Sequence, residues 1–205
     1  MFRVLFLLWM AVIATPVAAK TVTIVALGDS LTAGLGLKPA EAFPARLESK
    51  LRAQGYDVRI VNAGLSGDTT SGGLARMDFS VPRGVDGVFI ALGANDMLQG
   101  ASTATAKANL DAIVSRLKGR KVRVALTGMR SASNWGQAYR VAFDGMYPAL
   151  AKKHAVALDP FLLEGVALVP SLNQRDGIHP TATGADRIAT RLVPFFVRAY
   201  GLKKR

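Results

Sequence analysis

The chain has no cysteine in its 205 residues, which excludes disulfide staples, thiol nucleophiles and Cys-ligated zinc or iron–sulfur centres. Histidine is nearly as scarce. His154 and His179 are the two copies, too few for an imidazole-rich metal site. Chemistry in this protein must therefore rest on oxygen nucleophiles, carboxylates and one or both imidazoles. Acidic residues are also in short supply, 14 against 26 Lys plus Arg, for a formal charge of +12. The basic residues are scattered, with the densest groups at Lys118, Arg120, Lys121 and Arg123 and at Lys203-Lys204-Arg205. No aromatic residues interleave them and no nucleic-acid-binding motif accompanies them, so a solvated basic surface is expected and nucleic acid is not a partner. Attraction to an anionic membrane surface stays open. The 20 glycines and 9 prolines follow no period, which excludes collagen-like, low-complexity and solenoid architectures and leaves one globular domain.

The apolar run Val4–Ala14 is shorter than the ~20 residues a transmembrane helix needs. It follows a positive start, Met1-Phe2-Arg3, and leads through Thr15-Pro16 to the small residues Val17-Ala18-Ala19. That order reads as a signal peptide, with cleavage expected after Ala19 and export to the periplasm or medium of a bacterium, a retained anchor being the alternative. Loss of Arg3 leaves 25 basic against 14 acidic residues, or +11. A cysteine-free chain needs no oxidative folding, which suits such a compartment.

Beyond residue 19, short β-branched runs alternate with longer amphipathic stretches, the pattern of βα units around a parallel sheet. Strands are predicted at Thr21–Leu27, Asp57–Asn62, Gly84–Leu92, Lys121–Thr127 and Ala155–Asp159. Helices are predicted at 41–54, 103–118, 136–153 and 181–200, with Thr103 capping the second and Asp111, Arg116 and Lys118 facing water. Near-continuous apolar strands imply helices on both faces, hence a doubly wound α/β sandwich whose functional residues sit beyond the carboxyl ends of the strands.

The loops at those ends carry distinctive residues. After the first strand comes Gly28-Asp29-Ser30-Leu31-Thr32-Ala33-Gly34, which presents a serine hydroxyl in a nucleophile position. Near the end stands Asp176-Gly177-Ile178-His179-Pro180. A carboxylate three residues before an imidazole can hold one ring nitrogen while the other acts as base. Asn62-Ala63-Gly64-Leu65-Ser66-Gly67-Asp68-Thr69-Thr70 offers the bare Gly64 amide, and Leu92-Gly93-Ala94-Asn95-Asp96 offers the Asn95 side chain, as oxyanion donors. His154, at a helix end beside Lys152-Lys153, has no carboxylate nearby in sequence and reads as a helix-end cation.

These four blocks, in this order, resemble the SGNH (GDSL-type) hydrolase family over essentially all of residues 20–205. Ala42-Phe43-Pro44-Ala45-Arg46-Leu47, Gly73-Leu74-Ala75-Arg76 and Tyr147-Pro148-Ala149-Leu150-Ala151-Lys152-Lys153 look closest to its exported thioesterase/lysophospholipase (arylesterase) branch. The resemblance implies a flavodoxin-like, three-layer sandwich with a five-stranded parallel sheet. It implies Ser30 as nucleophile, His179 as base, Asp176 as its orienter, and an oxyanion hole of the Ser30 and Gly64 amides with Asn95. No metal or cofactor is implied, and a monomer acting on a small-molecule ester or thioester is expected. An O-acetyl esterase of carbohydrate or peptidoglycan would use the same residues, and a periplasmic binding protein without turnover is a more distant alternative. Nucleotide binding lacks its loop, because Gly34-Leu35-Gly36 continues as Leu-Lys-Pro. The α/β-hydrolase elbow is also missing around Ser30.

One loop departs from the resemblance. Where relatives carry an apolar pair, the chain reads Met129-Arg130-Ser131-Ala132-Ser133-Asn134-Trp135-Gly136. Ser131, Ala132 and Trp135 are expected to line the acyl site, with Trp135 and Tyr139 offering an aromatic face. Short-to-medium acyl chains and aryl esters are the expected substrates, and Ser131→Leu is expected to move the optimum toward longer chains.

Overall fold

A computed structural model describes residues 20–205, so the predicted signal segment 1–19 lies outside the described residues. Five parallel strands, β1 (Val22–Gly28), β2 (Val58–Gly64), β3 (Gly87–Ala91), β4 (Arg123–Thr127) and β5 (Ala157–Asp159), form one sheet in the order β2-β1-β3-β4-β5. This is the flavodoxin-like order, and it reverses direction between β1 and β3. All five residues of β3 are buried, as are the last five of β1, because helices cover both faces.

On one face α2 (Phe43–Ala53) packs against α7 (Ala182–Tyr200). Phe89 of β3 centres that layer, with Phe196 at 5.0 Å and Phe43 edge-on at 6.4 Å. Gly87 is required there because a Cβ would press within 2.6 Å of the Tyr200 ring. On the other face α3 (Thr70–Ser80), α5 (Thr103–Gly119) and α6 (Gln137–His154) lie side by side. Two short helices, α1 (Ser30–Ala33) and α4 (Ala94–Leu98), follow β1 and β3 directly.

The doubly wound sandwich predicted from alternation is the observed fold, with three differences. Helix α3 was not predicted, since Gly72 and Gly73 weaken its local signal. It forms because the Thr69 hydroxyl accepts the Gly72 N–H at 3.2 Å and because only a glycine at 73 clears the Leu92 side chain. Thr103 does not cap α5. It is the first helical residue, and Ser102 occupies the cap position without a side-chain bond. His154 is not a lone cation, for its Nε2 lies 2.6 Å from Asp111 Oδ1, supplied by α5 packed alongside α6.

Candidate active site

The carboxyl ends of β1, β2 and β3 are neighbours, so the three loops beyond them converge by topology alone. Gly28 ends β1 where a Cβ would meet the Ala91 carbonyl at 2.8 Å. Asp29 then caps α1, its Oδ1 accepting the Leu31 N–H at 3.0 Å, and Gly34 closes this single turn in the left-handed region at φ 79°. Ser30 is thereby fixed as the first residue of a helix, where its own N–H has no intrahelical acceptor. Asp29 is 1% exposed, and its Oδ2 has no partner among the described residues. Burial pushes its carboxyl up from 3.8 to about 6, against the opposing pull of the Leu31 hydrogen bond.

His179 reaches Ser30 from 149 residues away. A short antiparallel turn carries it, closed by the Asn173–Pro180 bridge and by Gln174 N–H donating to the His179 carbonyl at 2.7 Å. Asn173 Nδ2 anchors the base of this turn on the Val166 and Val169 carbonyls, and Gln174 Nε2 ties it to the Leu35 carbonyl just beyond α1. At the tip, Asp176 Oδ1 accepts the N–H groups of Ile178 and His179 at 2.9 and 3.0 Å, and Oδ2 lies 2.7 Å from His179 Nδ1. The His179 backbone bond, then its ring and the Ile178 N–H, hold the Asp176 carboxyl down to about 2. On the other side of the ring, Nε2 is 2.8 Å from Ser30 Oγ. Asp176, His179 and Ser30 thus form one hydrogen-bonded chain.

The glycine expected as an oxyanion donor is corrected by the structure. The Gly64 N–H donates to Asn62 Oδ1 at 2.9 Å, and the α-carbon is pressed so closely on the backbone of Thr32 and Ala33 that a Cβ would collide with the Ala33 amide nitrogen. That N–H is spent on its own loop. Gly67, three residues on, has φ 81°, is exposed, and its N–H donates to no group among the described residues. Asn95 is tied to the residue after Gly67, one of its Nδ2 hydrogens held by the Asp68 carbonyl at 2.8 Å and the other without an acceptor among the described residues. The motif holds both glycines, and spacing could not choose between them. Asn95 itself is launched by Gly93, whose φ of 120° is reinforced by the buried Tyr147 hydroxyl donating to the Leu92 carbonyl at 3.0 Å.

The loop after β4 also differs from expectation. Ser131 Oγ is enclosed and has no partner among the described residues, while its N–H donates to Asp144 Oδ1 at 2.8 Å. Its hydroxyl therefore turns inward instead of facing a groove. Ala132 is exposed, with its N–H on Met97 Sδ of α4 at 3.2 Å. Trp135 stacks on Tyr139 at 5.0 Å and covers Gly100, and the Tyr139 hydroxyl donates to the Ala101 carbonyl. The aromatic pair thus sits over the turn that follows α4. Nearer Ser30, three aliphatic side chains stand in solvent: Leu35 beyond α1 at 47% exposed, Leu65 after β2 at 54%, and Ile178 beside His179 at 45%. The void beneath Ser30 and His179, lined by Leu31, Leu37, Phe43 and Ile188, is only about 10 Å³, too small for an acyl chain.

Comparison with known proteins follows the same lines. Residues 26–187 match the model of the "GDSL-like Lipase/Acylhydrolase family". The chain is 39% identical over 178 residues to "Esterase TesA" of Pseudomonas aeruginosa, covering 86% of this chain and 88% of that protein. It is 37% identical over 185 residues to "Thioesterase 1/protease 1/lysophospholipase L1" of Escherichia coli K12, covering 86% of each. Among solved structures it resembles "AlinE4, a SGNH-hydrolase family esterase", at a TM-score of 0.74 and 44% identity, over 89% of this chain and 98% of that one.

Proposed function

Because the chain belongs to the GDSL-like lipase/acylhydrolase family and is a hydrolase of carboxylic esters and thioesters, we propose that Ser30, His179 and Asp176 carry its acyl transfer. The supporting observation is the continuous path from Asp176 Oδ2 through the His179 ring to Ser30 Oγ, with steps of 2.7 and 2.8 Å. His179 Nε2 takes the Ser30 proton as Oγ bonds to the substrate carbonyl carbon. The tetrahedral oxyanion accepts hydrogen bonds from the Ser30 and Gly67 amides and from Asn95 Nδ2. When it collapses, the C–O or C–S bond to the leaving group breaks and the departing alcohol or thiol takes the proton from His179. Water, deprotonated by the same imidazole, attacks the acyl-enzyme; as the acyl C–Oγ bond breaks, Ser30 takes that proton back from His179 and the acid is released. Asp176, ionised throughout, keeps the Nδ1 proton in place and stabilises the imidazolium.

With no room beneath Ser30, the acyl chain lies on the surface, where Leu35, Leu65 and Ile178 cover its first carbons. This open rim favours short-to-medium chains, since a longer chain finds no enclosed wall to bury further methylenes. Ser30→Ala and His179→Ala should each abolish hydrolysis of p-nitrophenyl butyrate, and Ser30→Ala should also abolish labelling by a fluorophosphonate, with circular dichroism unchanged. Wild-type turnover in the Ser30→Ala protein would refute the assignment.

Export as a monomer, with residues 1–19 removed, belongs to the same reading. So does loose attachment to an anionic membrane. Lys20, Lys121, Arg123, Lys203, Lys204 and Arg205 line one groove of about 490 Å³ at the amino ends of the strands, opposite Ser30. Asp57 and Asp86 offset part of that charge by pairing with Arg205 and Lys20. Each remaining cation near an anionic surface adds ~1 kcal/mol, screened by salt. Cosedimentation with phosphatidylglycerol vesicles at low salt, lost at high salt, is expected. Equal binding to phosphatidylcholine vesicles would refute it.

A further inference from the structure

Arg76 takes no part in the chemistry above, yet its guanidinium bonds into the loops that carry the site. From α3, Nε donates to Asp68 Oδ2 at 2.7 Å, Nη1 to the Ala63 carbonyl and Ser80 Oγ at 2.9 Å each, and Nη2 to the Gly28 carbonyl at 2.9 Å. Gly28 is the last residue of β1 before Asp29-Ser30, and its carbonyl also accepts the Leu65 N–H at 3.0 Å. Ala63 is the penultimate residue of β2, just ahead of the Gly67 loop. Asp68 follows Gly67, and its carbonyl holds Asn95 at 2.8 Å. A second tie joins the same two loops, for the Thr70 N–H and hydroxyl donate to Asp96 at 2.8 and 2.6 Å. Asp68 is almost wholly enclosed and Arg76 largely so, which leaves their ion pair poorly screened. Only a guanidinium presents several N–H donors in one rigid plane to acceptors on separate segments. A lysine in its place could keep the charge but not the geometry.

We propose that Arg76 is a positioning residue for acyl transfer: it locks the end of β1 that bears Ser30 to the Gly67–Asp68 loop and, through Asp68, to Asn95. Nucleophile and oxyanion donors then keep one spacing as the tetrahedral centre forms. Such donors act only if held to about 0.5 Å, and a displacement near 1 Å costs on the order of 100-fold in rate. The inference rests on the Ser30 assignment above and adds the residue that sets its distance from the oxyanion donors.

The test uses Arg76→Lys, the near-isosteric Asp68→Asn, Asn95→Ala and the double variant Arg76→Lys/Asn95→Ala on an aryl ester. Active sites are counted by complete reaction with a fluorophosphonate. Per titrated site, Arg76→Lys and Asp68→Asn should lower kcat roughly 10- to 100-fold while KM stays within about threefold. The acid limb of the pH profile should not move in Arg76→Lys, which keeps the charge and leaves Asp176 and His179 untouched. The double variant should lose less than the product of the two single losses, since both changes act on the same donor set. Unchanged kcat per site, with the loss confined to melting temperature or site count, would overturn the proposal. So would losses that multiply in the double variant. If Arg76→Lys does not fold, Asp68→Asn carries the same comparison. A Ser30→Ala control separates the two readings: its inactivity keeps the nucleophile assignment whatever Arg76 does, and its activity would sink that assignment instead.

Discussion

Replacing Asp29 by asparagine isolates the cost of burying a carboxylate beneath the nucleophile. Asp29 caps α1 through Oδ1, while Oδ2 is enclosed with no partner among the described residues, and burial lifts its pKa from 3.8 to about 6. The folded protein therefore holds this proton more tightly than the unfolded chain does. The stability it contributes is complete below about pH 4 and is lost as pH rises through 6. A change from 3.8 to about 6, at 1.36 kcal/mol per tenfold in proton affinity, corresponds to about 3 kcal/mol. Asparagine keeps an acceptor for the Leu31 N–H and is an equally good cap, but it does not titrate. Urea unfolding of Asp29→Asn and wild type at pH 4, 5, 6 and 7.5 cancels in the difference the titrating groups that Asp29 does not act on. Relative to wild type, the variant should gain about 2.4 kcal/mol between pH 4 and 7.5, because the unfolded carboxyl is already more than half ionised at pH 4. Any fixed penalty from burying the new amide shifts the intercept and not the slope. A difference that stays flat within about 1 kcal/mol across this range would refute the account of a buried, ionising carboxylate.

Asp176 is held down to about 2, so with the Asp29 carboxyl removed in Asp29→Asn the loss of activity on acidification should keep unit slope down to about pH 3; a slope of two in that variant would mean that Asp176 takes up its proton in the same range. Asp176→Asn should reduce kcat less than His179→Ala, measured on the same aryl ester, because the ring keeps its Nε2 contact with Ser30. Gly64→Ala drives a Cβ into the Ala33 backbone and should cost about 1–3 kcal/mol in urea unfolding. Gly67→Ala meets open space and should pay only for its φ of 81°, about 1–2 kcal/mol. Leu65→Ala should lower kcat/KM for an octanoate ester relative to acetate about fivefold, as expected for the loss of about 1 kcal/mol of apolar contact. Because the Ser131 hydroxyl is enclosed, Ser131→Leu should lower the melting temperature and not shift the chain-length optimum.

Alternation of β-branched runs with amphipathic stretches was enough to read five strands, four long helices and the sandwich they build, since burial on both faces writes itself locally into each strand. Gly28-Asp29-Ser30, Asn95 and Asp176-x-x-His179 were legible for a related reason: each block joins a strand end or a tight turn to a side chain of defined chemistry. What the sequence could not decide were relations between segments. Whether the Gly64 or the Gly67 amide stays free depends on Asn62 bending back to take one of them and on Ala33 pressing against it. The partner of His154 lies on α5, 43 residues away. Helix α3 defies its glycines because Leu92 leaves room only for Gly73. Arg76 stands in the Gly73-Leu74-Ala75-Arg76 block that marks the family branch, but nothing assigns it a role until folding brings Gly28, Ala63 and Asp68 around it. Side-chain type and spacing determine which groups are present, but a hydrogen bond depends on distances of about 3 Å and on direction, and those are set only when the β1, β2 and β3 loops are packed side by side.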